Sequence, residues 1–124
     1  MAQTVLVGST GFVGGNLMAA HTFDAAYHST DVAKGFGCRN ELVVYAGVPA
    51  AMFLANRDPA ADLAVMAAAR ENLRRLAPRR LVLISSIAVY RDSRGKDEAS
   101  PMETEGLPPY GANRLQLEQW VRED

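Results

Sequence analysis

The sequence predicts an α/β fold, a parallel β-sheet with helices on both of its faces. Three observations predict it. Short, continuous apolar runs recur along the chain, the pattern of strands covered on both sides. Segments of helical periodicity alternate with those runs, as parallel strands with helical crossovers require. A glycine-rich turn separates the first run from the first helix, where an α/β fold turns sharply off its opening strand.

Residues 4–7 (TVLV) form the first strand, and the turn GSTGFVGG follows it. Val13, Leu17 and Ala20 then share one face of a helix. Residues 24–29 (DAAYHS) are an Ala-rich second strand, and residues 41–46 (ELVVYA) a third. Residues 58–77 have the marks of a long helix: Asp58 as N-cap, Pro59 at the first helical position and a stop at Pro78. Its apolar positions Leu63, Met66, Leu73 and Ala77 recur at helical spacing, and Glu71 pairs with Arg75 one turn on along the outer face. Residues 81–85 (LVLIS) are the fourth strand. Residues 92–105 (DSRGKDEASPMETE) are polar and rich in helix breakers, a long surface loop of the kind that carries function. A last helix runs from near Tyr110 to about Arg122, with Leu117, Trp120 and Val121 as its buried side.

A chain of 124 residues fits one domain and can bury roughly two-thirds of its unfolded surface. It is 48% hydrophobic and 22% charged with a formal net charge of −1, which gives no broad electrostatic pull toward nucleic acid or an anionic membrane. Cys38 stands alone, so no internal disulfide forms and a reducing cytoplasm is the expected compartment. The start MAQTVLVG has no basic leader segment, and no stretch is long and apolar enough to span a bilayer. His21 and His28 have no Cys, Asp or Glu at metal-ligand spacing, so no metal site is expected. Arg70, Arg74, Arg75, Arg79 and Arg80 cluster, and a solvated helix face accounts for them more simply than nucleic acid does.

Gly8, Gly11 and Gly14 stand at i, i+3 and i+6 after the first strand. A tight turn at that place lets backbone N–H groups and a helix N-terminus face a pyrophosphate. The segment Gly8, Ser9, Thr10, Gly11, Phe12, Val13, Gly14 is therefore a candidate dinucleotide site. Its spacing is G-x-x-G-x-x-G and not the commoner G-x-G-x-x-G. The plain alternative is a glycine cluster that serves helix packing with no ligand.

Further motifs lie in the C-terminal half: LVLISSIAVY, then Glu98-Ala99-Ser100-Pro101 in the polar loop, then PPYGANRLQLE. Together with GSTGFVG, in this order and over nearly the whole chain, they resemble the extended short-chain dehydrogenase/reductases, the NAD-dependent epimerase/dehydratase family. That family carries a G-x-x-G-x-x-G turn, a central strand ending in S-S-x-x-V-Y, an acidic E-x-x-P loop and Y-G-x-x-K on the next helix. The resemblance implies a Rossmann-type doubly wound sheet, with residues 1–124 as an NAD(P)-binding domain. It implies NAD or NADP as cofactor and a nucleotide sugar or related small molecule as substrate; a homodimer stays open as the assembly.

Residue by residue, the resemblance makes Ser86 the serine that hydrogen-bonds the reacting oxygen and Tyr110 the general acid/base. Arg114 stands where the family has its lysine. Ala46 and Gly47, closing the third strand, border the cofactor ribose, and Ser85 joins the cofactor-binding set. Tyr90 is left out as structural. Each site residue has a plain alternative: strand-end polar groups for Ser85 and Ser86, a packing aromatic for Tyr110, a solvated helix residue for Arg114. In the implied chemistry a substrate hydroxyl loses its proton to Tyr110 as its carbon gives hydride to nicotinamide. A free tyrosine titrates near 10, so service at neutral pH asks for a fall of about three units, or roughly 4 kcal/mol. A cation one helical turn away supplies charge of the needed sign. Arginine supplies it as a wide planar fork in place of a compact ammonium, so weakened or altered catalysis is expected.

At the end of the second strand Ser29 or Thr30 falls close to the cofactor-selecting position, with Asp31 just beyond. Asp31 on the ribose diol favours NAD, whereas Ser29 in that place admits NADP. Residues 31–40 are too few for the extra strand and helix the family has there. The family's chains also continue past the tyrosine helix into more strands and a substrate-binding region. A fragment of a longer chain is the favoured explanation, with completion by a partner as the other. Two functional readings follow: an NAD(P)-dependent oxidoreductase or epimerase, and a non-catalytic dinucleotide-binding or sensor protein on the same fold.

Overall fold

A computed structural model describes residues 2–28, 30–48, 52–86, 89 and 106–123. The chain divides into two compact units, the first made of Met1–Pro49 and Ala69–Ile84, the second of Ala50–Ala68 and Ser85–Asp124.

The first unit is built on a four-stranded parallel sheet of β1 (Gln3–Val7), β2 (Ala25–Tyr27), β3 (Asn40–Tyr45) and β4 (Arg80–Leu83), in the order β2-β1-β3-β4. Val5 stands opposite Ala25 on one side and Val43 on the other, and Val43 opposite Leu81. The two central strands carry the core: Val5, Leu6, Val7 and Val43 are fully buried. Helix α1 (Phe12–Ala20) leads from β1 out to β2, and the next connection returns past β1 to β3. The strand order thus reverses beside β1, the place where open α/β sheets bind ligands at the carboxyl ends of their strands. Among the described residues the returning connection holds a 3₁₀ turn, Val32–Gly35, and no further strand or helix, in keeping with the shortness of that stretch.

Asn40 holds this unit's lower end together. Its amide donates to the carbonyls of Leu76 (2.7 Å) and Gly35 (3.2 Å), and its side-chain oxygen accepts from Gln3 (2.9 Å). A buried amide whose donors and acceptor are all used stabilises the fold instead of burdening it.

Helix α3 (Pro59–Leu76) starts as its sequence predicts, with Asp58 Oδ1 accepting the Ala61 N–H (3.2 Å) and Pro59 in the first position. The Glu71–Arg75 pair forms at 3.1 Å. The buried stripe, however, is Asp62, Met66, Ala69, Leu73 and Leu76. Leu63 is exposed, and Ala77 has left the helix with φ of +45°. Met66 and Leu73 are thus buried as expected, and the stripe differs at its two ends; at the first, the buried position is a carboxylate, which an apolar pattern skips.

Two further expectations are corrected. Helix α1 does not bury Val13, Leu17 and Ala20; its buried residue is Gly14, with Val13 and Ala20 exposed and Leu17 half-buried. Close approach of the helix to the turn at Gly14 sets that face. Strand β4 is not covered on both faces: it alternates, Val82 is 47% exposed, and among the described strands only β3 pairs with it. It ends at Leu83, although the Ile84 N–H still reaches the Tyr45 carbonyl at 3.0 Å.

The second unit contains α2 (Met52–Arg57), the first part of α3 and α4 (Pro109–Glu123). Pro109 occupies the first position of α4, where its missing N–H costs nothing. Leu117 is buried as expected, together with Leu115, whereas Trp120 and Val121 are half-buried. Helix α2 was not expected from the sequence. Ser29, the SSIAVY residues Ile87, Ala88 and Tyr90, and the whole loop 92–105 with its E-x-x-P motif lie outside the described residues. Among the described residues no helix is long and apolar enough to cross a membrane.

Candidate functional site

The glycine turn closes the carboxyl end of β1. Gly8 has φ of +94°, and its N–H donates to the Tyr27 carbonyl at 2.8 Å. A Cβ on Gly8 would lie 2.5 Å from the Ala46 carbonyl and 2.7 Å from the Gly47 nitrogen. The ends of β1 and β3 therefore meet backbone to backbone, and no side chain fits at Gly8. A Cβ on Gly14 would fall 1.8 Å from the Gly8 carbonyl oxygen, so α1 can lie against the turn only with glycine there.

Gly11 is different. Its backbone is extended (φ −74°, ψ 173°), and a Cβ would come no closer than 3.6 Å to Gly8 O, an ordinary contact. Packing within the protein does not demand a glycine at this position. Gly11 is the N-cap of α1, no side chain caps the helix, and no acidic residue occupies its first turn. Phe12, at 87% exposure, leaves the helix start uncovered. The first-turn amides and the positive end of the helix dipole thus stand at a helix start with no acidic residue in its first turn. These features fit a pyrophosphate held by residues 8–14.

At the carboxyl end of β2 the Asp31 carboxylate turns into its own loop. Its Oδ1 accepts the His28 N–H at 2.7 Å, and the Asp31 N–H donates to the His28 carbonyl at 3.2 Å. In this loop His28 touches the glycine turn: its Nδ1 lies 3.4 Å from Thr10 Oγ1. Behind Ala46 and Gly47, Tyr45 is buried and its hydroxyl accepts from Asn72 at 3.4 Å. Burial pushes its phenol above the ordinary value, with the Asn72 hydrogen bond pulling weakly the other way, so Tyr45 stays neutral and structural.

In the second unit Tyr110 is the second residue of α4 and only 7% exposed. Its N–H, left without an intrahelical acceptor at the helix start, donates to Asn56 Oδ1 of α2 at 2.9 Å. One turn on, the Arg114 guanidinium carbon lies 4.0 Å from the centroid of the Tyr110 ring. Arg114 is 1% exposed, which sets aside the solvated alternative, and its Nη1 pairs with Asp62 Oδ2 of α3. The same carboxylate oxygen accepts from Asn113 at 2.8 Å, and Asn113 also donates to the Pro59 carbonyl at 3.1 Å. Farther along α4, Glu118 accepts the Ser85 hydroxyl at 2.7 Å. The Ser86 carbonyl accepts the Val89 N–H at 3.4 Å. One helix therefore bears Tyr110 and Arg114 and also anchors the Ser85–Ser86 segment.

Sequence reasoning missed Asn56, Asp62, Asn113, Glu118 and His28. The only available signal for Asp62 was its phase, four residues ahead of Met66 on the buried stripe. The others are polar residues whose partners lie far away in sequence, and no local pattern marks them.

No protein-family model matches the chain, and no curated protein matches it. Solved structures do. The fold is similar to that of a UDP-glucose 4-epimerase with UDP-glucose from the hyperthermophilic eubacterium Thermotoga maritima (TM-score 0.64, 15% identity, 99% of this chain and 50% of that one). It is similar as well to RMD from Pseudomonas aeruginosa complexed with NADPH (TM-score 0.63, 23% identity, 94% of this chain and 46% of that one). The chain spans about half the length of each. At these identities the likeness establishes the fold, a Rossmann-like α/β sheet.

Proposed function

We propose that the chain binds NAD or NADP at its glycine turn and serves an oxidoreductase or epimerase acting on a hydroxyl or keto group of a nucleotide sugar or related small molecule. The observation that carries this reading is the contrast within the turn: Gly8 and Gly14 are demanded by backbone contacts, and Gly11, demanded by none, sits at an uncapped helix start. The solved structures with NADPH and UDP-glucose on a similar fold support it. Residues 8–14 hold the pyrophosphate, Ser29 and Asp31 with His28 serve the adenosine ribose, and Ala46, Gly47 and Ser85 border the rest of the cofactor. Nicotinamide, when bound, supplies hydride acceptance and donation. Ser86 orients the substrate oxygen, and the Tyr110 hydroxyl takes up or returns its proton. The domain is read as the N-terminal portion of a longer chain.

A second reading, a non-catalytic dinucleotide-binding or sensor protein, is favoured by one observation: the Arg114 guanidinium is engaged with Asp62. Calorimetric titration of the protein with NADH and NADPH tests what both readings share. Binding of at least one is expected, weakened about tenfold or more, some 1.4 kcal/mol, in Gly11→Ala. No heat with either dinucleotide sinks both. Arg114→Lys then separates them: a gain in dinucleotide oxidation with a nucleotide keto-sugar favours the enzyme, and no turnover in either form favours the sensor.

A further inference from the structure

Past the carboxyl end of β2 the two forms of a nicotinamide dinucleotide ask for opposite chemistry. The adenosine ribose of NAD offers hydroxyl donors, which a carboxylate roughly 20 residues beyond the glycine turn accepts. The 2′-phosphate of NADP is an anion; it asks for donors and is repelled by a carboxylate in that place. Tyr27 is the last residue of β2 in register with β1, and its carbonyl accepts the Gly8 N–H. His28 therefore comes first after the ladder, 18 positions beyond Thr10. The side chain at this strand exit is an imidazole in contact with the glycine turn, where recognition of a ribose diol would call for an acid.

The contact between His28 Nδ1 and Thr10 Oγ1 joins two exposed side chains. A neutral imidazole has one donor nitrogen and one acceptor nitrogen. If Nδ1 accepts from the Thr10 hydroxyl, Nε2 carries the ring hydrogen and donates outward. If Nδ1 donates, the hydroxyl retains its own hydrogen to give. Either tautomer leaves the pair with a donor for an anion. One oxygen of the Asp31 carboxylate is engaged inside the loop: Oδ1 accepts the His28 backbone N–H at 2.7 Å and so fixes the strand exit that carries the imidazole. Lys34, exposed on the 3₁₀ turn that follows, adds a cation to the same connection.

We propose that the chain prefers NADP(H) to NAD(H), with the His28 ring and the Thr10 hydroxyl taking the 2′-phosphate and Asp31 positioning His28. This preference rests on reading the glycine turn as a dinucleotide site.

Calorimetric titration of the protein with NADPH and with NADH tests it. NADPH is expected to bind about tenfold tighter or more, the order of one charge-assisted hydrogen bond. Adenosine 2′,5′-bisphosphate isolates the phosphate and is expected to displace NADPH at concentrations about tenfold below those AMP requires. In His28→Asp a carboxylate stands at the strand exit, and the preference is expected to reverse in favour of NADH. Thr10→Val is expected to narrow it. Circular dichroism checks the fold of each variant, and the wild-type comparison decides alone if they fail to fold. Wild-type protein that binds NADH as tightly as NADPH, or a preference unmoved in folded His28→Asp, overturns the proposal and leaves dinucleotide binding standing. Absence of binding by either dinucleotide overturns both.

Discussion

The glycine turn and the start of α4 specify their geometry by opposite means. At the turn the backbone is the determinant: Gly8 and Gly14 are required because carbonyl groups occupy the space a Cβ would take. At the helix start side chains are the determinant, with Asn56, Asp62, Asn113 and Arg114 holding Tyr110 through hydrogen bonds and charge. A steric requirement writes a residue type at a fixed local spacing. A charge network joins positions some fifty residues apart and leaves no local mark. The sharpest way to break this contrast is Gly14→Ala. Its Cβ would fall 1.8 Å from a backbone oxygen, and no rotamer change relieves a clash with backbone. A loss of about 3 kcal/mol or more is expected in urea denaturation. A wild-type midpoint would show that α1 shifts freely and that the turn is not sterically locked.

At the helix start single contacts are worth less, because each shares its task with others. Asn56→Ala removes the acceptor of the Tyr110 N–H, and a loss of about 1 kcal/mol is expected, the usual cost of deleting a side-chain acceptor at a helix N-terminus. Chemical denaturation measures it. A loss above that of Gly14→Ala would reverse the ranking of the two regions.

The same contrast explains what was legible in the sequence. The strand runs TVLV and ELVVYA were readable because burial of central parallel strands makes them largely apolar, LVLIS because its run is apolar although β4 is half-exposed, and the cap of α3 because Asp-Pro is a local signal. Helix α2 was not readable: Met52, Phe53 and Leu54 are exposed and the residue it buries is a lone small one, Ala55, which makes no periodic pattern. On α3 Met66 and Leu73 are buried as expected, and Leu63 was misread because the buried position beside it is the carboxylate Asp62. Arg114 was visible as the odd residue of its motif, yet its partner was not, since nothing near residue 62 announces a residue at 114. The Ser85–Glu118 hydrogen bond is another pairing of this long-range kind.

The smallest expected effect on stability is the most informative about ligand. Gly11→Ala places a Cβ in ordinary contact with Gly8 O on a backbone any residue adopts. Two opposing contributions follow. Loss of chain freedom in the unfolded state favours alanine by about 0.4–1 kcal/mol, and the poorer N-cap preference of alanine disfavours it by a similar amount, so the net change should lie within about 0.5 kcal/mol of zero. Urea denaturation and dinucleotide titration of the same variant give the two halves of the answer. Unchanged stability with weakened NADH or NADPH binding means that this glycine serves a ligand and its neighbours serve the fold. Unchanged stability with unchanged binding would mean that the start of α1 is not where the dinucleotide lies. A large loss of stability would erase the distinction between Gly11 and Gly14 and make the turn a packing device throughout.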